Sequence, residues 1–115
     1  MDNNKTKVAF FIERKSRRTD YGTAIPREVT AVFVESGNNL MKDCYAHVGQ
    51  HGTCAVDWIA EECRVASYAE YKSLYDELQE QVGYNLEVLD ARWWIETAMA
   101  RVKTVQDWEA GGKAA

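Results

Sequence analysis

Cysteine, histidine and proline are scarce in this chain: its 115 residues include three, two and one of them. Long apolar runs are missing as well. The longest, Val8 to Ile12 and Ala31 to Val34, fall far short of the roughly 20 residues that span a bilayer, and no basic head with an apolar body opens the chain. A cytoplasmic protein without membrane contact is expected. Cys44, Cys54 and Cys63 are odd in number and lack the dense spacing of a secreted disulfide scaffold, so reduced thiols are expected too. Charge of one sign is only mildly in excess, at a net -4, but it is unevenly spread. Residues 1–42 carry eight Lys/Arg against five Asp/Glu, and residues 43–115 carry six against thirteen. That balance argues against a generic nucleic-acid coat, which needs a basic face to release counterions. An acidic surface more often meets a basic protein.

What is present is an ordinary globular composition, 46% apolar and 28% charged. One compact domain is expected over residues 1–110, with 111–115 as a flexible tail. "KVAFFIER" is apolar on both alternating faces (Val8, Phe10, Ile12 and Ala9, Phe11), the mark of a central strand covered on each side. Residues 13–28 hold five basic residues and the sole proline, a long exposed connection and a candidate contact surface. "EVTAVFVESGNNLMKDCYAHVG" reads as a hairpin turning at "SGNN", its second strand running from about Leu40 to Val48 and followed by a loop over 49–53. Thr53 is placed to cap a short helix through Ala55, Trp58, Ile59 and Glu62. Ser67 and Glu70 form a capping box ahead of the stripe Tyr71, Leu74, Tyr75, Leu78 and Val82, which Gly83 ends. "YNLEVLD" is a strand, and Trp94, Ala98, Val102, Val105 and Trp108 mark the core side of a last helix. The order βββααβα defines an α+β domain: a three-stranded antiparallel sheet plus a returning fourth strand, packed by two to three helices that cover one face.

Chemistry-bearing residue types cluster in "CYAHVGQHGTC", residues 44–54. Zinc accepts all four Cys and His residues, but side chains alternate along a strand, so Cys44 and His47 point to opposite faces. A three-ligand set of His47, His51 and Cys54 or Cys63 stays open as a metal site. A nucleophile reading uses Cys54 in the first turn of the helix capped by Thr53, with His51 as its base; no oxyanion hole or third orienting residue can be identified. The packing reading, with small buried thiols and a turn shaped by Gly49, Gly52 and His51, comes first. No catalytic residue, metal or cofactor is therefore expected. Tyr68, Tyr71, Tyr75 and Tyr84 read as core, whereas Trp93, next to an inward Trp94, should be exposed. The expected partner-binding set is Glu61, Glu62, Glu77, Glu80, Trp93, Arg17 and Arg18, with self-association through the last helix as a related expectation. Arg14, Lys15, Arg17 and Arg18 form the nucleic-acid alternative.

The run "CYAHVGQHGTC…EECRVASYAEYKSLYDELQEQVGYNLEVL", residues 44–89, resembles a group of small uncharacterised proteins of bacterial phages and other mobile elements. They share an aromatic-x-His-x-Gly-Gln-His segment, then Glu-Cys, a capped helix and a Gly-Tyr-x-Leu strand. The resemblance implies a context and no activity: small acidic proteins of such elements frequently bind host proteins, anti-CRISPR inhibitors of bacterial defence among them. The expected function is thus a non-enzymatic protein-binding module.

Overall fold

A computed structural model describes residues 5–46 and 50–111. The architecture is α+β, with a mixed sheet between two helical layers. Strand β1 (Thr6–Glu13) pairs antiparallel with β4 (Val29–Phe33), which continues through β5 (Met41–Ala46) to β6 (Gln50–Ala55). The other edge of β1 is shared. Its C-terminal half pairs antiparallel with β7 (Cys63–Val65), and its N-terminal half pairs parallel with β8 (Leu86–Val88). Between β1 and β4 a two-stranded ribbon, β2 (Arg17–Arg18) and β3 (Ala24–Ile25), structures the basic connection. Thr19 Oγ1 accepts from the Thr23 N–H at 3.1 Å and Arg18 Nη1 donates to the Gly22 carbonyl at 2.9 Å. The long loop expected there is therefore partly a small hairpin, tipped by a nearly fully exposed Tyr21.

Helices lie on both faces of the sheet, not on one. Because side chains alternate along β1, Val8, Phe10 and Ile12 join Ala31, Phe33 and Tyr45 on one face, under Leu74 and Leu78. Those leucines belong to α2 (Tyr68–Glu77) and to the π-helical turn that continues it, Leu78–Val82. Phe10 stacks on Tyr71 with ring centroids 4.2 Å apart. Ala9, Phe11 and Val32 face the opposite way, against Ile59 of α1 (Val56–Glu62) and Trp94, Ala98 and Val102 of α3 (Ala91–Gly111). The apolar double face of β1 is thus buried twice over.

The local chemistry accounts for the boundaries. In the β4–β5 turn Gly37 has a φ of 64°, and a Cβ there would come within 2.1 Å of the Met41 carbonyl oxygen, so only glycine fits. Asn38 Oδ1 closes the turn by accepting from the N–H groups of Leu40 and Met41 at 2.8 and 2.9 Å. The capping box of α2 forms as its spacing predicts: Ser67 Oγ accepts from Glu70 N–H at 3.3 Å, and Glu70 Oε1 accepts from Ser67 N–H at 2.9 Å. Arg64 adds a two-pronged bond to the same carboxylate at 2.9 and 2.7 Å, which holds the Glu70 carboxyl down at about 2. Thr53 does not cap α1. It belongs to β6, opposite Asp43, and α1 starts directly from the strand at Ala55 with no side-chain cap. The last helix reaches Gly111, and residues 112–115 of the expected tail lie outside the described residues.

Two outcomes follow from this packing. Leu74 is fully buried, so Leu74→Ala should cost about 2–5 kcal/mol in chemical denaturation. The depressed Glu70 carboxyl stabilises the fold fully above its ordinary value of 4.5, and that contribution is lost as pH falls through about 2. Glu70→Gln keeps a capping-box acceptor and removes the charge. Its stability should therefore vary less with pH between 4.5 and 2 than that of the parent chain, and an unchanged slope would contradict this assignment.

Candidate functional site

The helical layers cover β1, β4 and β7 and reach Tyr45 of β5, whereas His51, Gly52 and Thr53 of β6 are exposed. Here β6 is an outer strand, with β5 as its sole neighbour among the described residues. A groove of about 460 Å³ runs along it on the α1 face, floored by Thr30, Cys44, Ala46 and Cys54 and walled by Trp58 and Glu28. On the α2 face a second groove of about 320 Å³ is lined by Phe33, Asp43, His51, Thr53 and Tyr84. The two grooves flank one strand edge.

Register explains which residues reach which face. Val32, Cys44 and Gly52 are level across three strands on the α1 side, and Ala31, Tyr45 and His51 on the α2 side. Cys54 is two residues beyond Gly52 and shares its face, whereas His51 does not. The His51 ring sits edge-on to Tyr45 with centroids 4.7 Å apart, while the Cys54 thiol lies across the sheet, 3.8 Å from the Lys42 carbonyl oxygen. His51 and Cys54 are therefore not a base and nucleophile, and Cys54 stands on β6, before the first turn of α1 and not in it. Among the described residues no group of three or more His, Cys, Asp or Glu side chains could hold a metal ion. His47 lies outside the described residues.

What the register does bring together is Cys44 and Cys54, diagonal neighbours on the floor of the larger groove. The Cys54 S–H has two acceptors, the Lys42 carbonyl and the Cys44 sulfur. Donation to Cys44 lowers its thiol below the ordinary range, because a thiolate there is hydrogen-bonded. The same bond and burial push Cys54 up, and burial lifts Cys63 to about 11. Cys44, half-buried, is the sulfur fit to react.

The residues expected to bind a partner do not share a surface. Glu61 and Glu62 are exposed on α1, whereas Glu77 and Glu80 belong to the α2 layer on the opposite side of the sheet. Glu77 is also occupied, accepting the hydroxyl hydrogen of Tyr45. Trp93 is 58% exposed as its spacing predicts. Trp108, expected in the core, is 67% exposed: α3 is still buried at Val102, half-buried at Val105 and free of the sheet beyond it. Arg14, Lys15 and Arg18 are exposed around β2, and the side chain of Arg17 lies outside the described residues. Tyr71, Tyr75 and Tyr84 pack on the core as read, but Tyr68 is 59% exposed, its ring edge-on to Tyr71.

Sequence reasoning missed β6 because "QHGTCA" has no apolar alternation and a glycine at its centre. One signal was available: these six residues contain no Asp, Glu, Lys, Arg or Pro, an unusual composition for an exposed turn. No family model, curated protein or solved structure matches the chain.

Brief alkylation with iodoacetamide near pH 8, followed by peptide mass spectrometry, should label Cys44 well ahead of Cys54 and Cys63. Equal labelling of all three sulfurs would remove the bond assigned to Cys54.

Proposed function

We propose that this protein is a non-enzymatic binding module that captures an extended segment of another protein as an added strand along β6. The observation that carries this reading is the β6 edge, unpaired among the described residues, with a groove on either face. Outer strands of natural sheets are ordinarily blunted by lysine, proline, bulges or a covering element, and β6 has no lysine or proline and an unbroken register with β5. The Val56 N–H bonds the Leu40 carbonyl at 2.9 Å, which sets the alternation of the ladder. Gly52 and Cys54 then turn their backbone groups toward β5, and His51, Thr53 and Ala55 turn theirs outward. A strand laid against them gains main-chain hydrogen bonds and sends successive side chains alternately into the two grooves.

Trp58, 38% exposed at the mouth of the larger groove, supplies an aromatic anchor for the segment. The resemblance to mobile-element proteins makes a host protein, such as a component of bacterial defence, the expected owner of that segment. The net charge of -4 favours a segment with basic residues beside its apolar ones.

Thr53→Pro tests the idea directly. Proline is accepted in an outer strand where the N–H faces solvent, so the variant should keep its stability to within about 1 kcal/mol. Peptides of about ten residues, selected from a random display library on the parent chain, should bind Thr53→Pro at least tenfold more weakly. They should also slow amide exchange at His51, Thr53 and Ala55. Selected peptides that bind both proteins equally and leave those amides untouched would place recognition elsewhere.

A further inference from the structure

We propose that α3 pairs antiparallel with α3 of a second copy of this chain, along its exposed face, where Thr97, Ala100 and Thr104 border a shallow groove beside Asn39 of the β4–β5 turn. The helix has 21 residues, about 30 Å in length. At 100° per residue, Trp93, Thr97, Ala100, Thr104 and Trp108 fall within about 80° of arc, centred roughly 120° from the mean direction of the buried Trp94, Ala98 and Val102, with Trp108 about 40° from Trp94. Two exposed tryptophans thus bracket a strip of small side chains over four turns. Between them, Ala100 and Thr104 are exposed and Thr97 half-exposed, which lets a second helix approach closely at the middle while the indoles pack at each end.

The strip reads almost the same in both directions. Reversed about a point near Ala100, Trp93 falls on the Trp108 end of the other copy and Thr97 on its Ala100–Thr104 stretch. An isologous two-fold contact needs this kind of self-complementarity. The flank adds charge to it. Arg92, Glu96, Lys103 and Asp107 lie along one side of the strip with alternating sign, all exposed, and among the described residues none of them is in an ion pair. In an antiparallel pair the same flanks of the two helices meet, which sets Glu96 beside Lys103 of the second copy and Arg92 beside its Asp107. Every contact occurs twice. A parallel pair would bring opposite flanks together and lose this match.

A contact confined to one helix per copy is at the low end of interface sizes, so a dissociation constant on the order of micromolar is expected. Sedimentation equilibrium of the full chain over a range of concentrations reads it. Lys103→Glu should weaken association about tenfold, since two attractions become two repulsions. Trp93→Ala should weaken it further. The double variant Glu96→Lys with Lys103→Glu should restore it, because the exchanged charges still face each other in the antiparallel arrangement. All these side chains are exposed and change no core contact. Self-pairing through the β6 edge is the competing route, and Thr53→Pro separates the two: a dimer that survives Thr53→Pro and yields to Lys103→Glu supports the helix pair. A chain that stays monomeric at all concentrations, a dimer lost with Thr53→Pro, or a double variant no better than Lys103→Glu would overturn it.

Discussion

Everything in this structure is referred to β1. A strand whose two faces are both apolar cannot stop at one covering layer, and a strand in the middle of a sheet cannot leave either row of backbone groups unpaired. Phe10 and Phe11, adjacent in sequence, are the simplest expression of that constraint, since they are buried in two separate clusters on opposite sides of the sheet. Satisfying both faces draws α2 to one side and α1 with α3 to the other. Satisfying both edges takes β4 on one flank and two short strands in tandem on the other.

Concentrating the helices around β1 leaves the far strands comparatively bare. From β4, still in the core, the ladder runs through β5 to β6, whose outer edge is unpaired among the described residues and has shallow grooves on both faces. The functional reading therefore depends on where the core stops. Likewise α3 outruns the sheet after Val105, and its outward side carries two exposed indoles, Trp93 and Trp108. One excess of sheet and one excess of helix supply the two surfaces on which the proposals rest.

Much of this was legible in the residues. The centrality of β1 could be read from its double apolar face, the start of α2 from Ser67 and Glu70, the turn at Gly37 from its composition, and the exposure of Trp93 from its position beside Trp94. What stayed hidden depends on contacts distant in sequence. β6 has little strand character of its own and exists because β5 offers it a ladder. Once it exists, the alternation that separates Cys44 from His47 on paper also separates His51 from Cys54, and the alternative of a reactive pair gives way to two residues on opposite sides of a sheet. The acids fared similarly: Glu61, Glu62, Glu77 and Glu80 lie on helical segments as expected, but topology assigns those segments to different layers. Helical spacing gives the face of a helix and not the side of the sheet on which it lands.

The divided edge of β1 also sets a timetable. Its partners on that side, Val65 and Val88, follow Phe11 and Val8 by about 50 and 80 residues, so during synthesis β1 waits for strands made much later. Until then a run of Val, Ala, Phe, Phe and Ile leaves the ribosome with one side unzipped, the kind of segment that sticks to its neighbours. The hairpin with β4 can form early and shield one edge; the other must be kept apart by dilution, by chaperones or by speed. That edge of the fold stays open until β7 and β8 have been made.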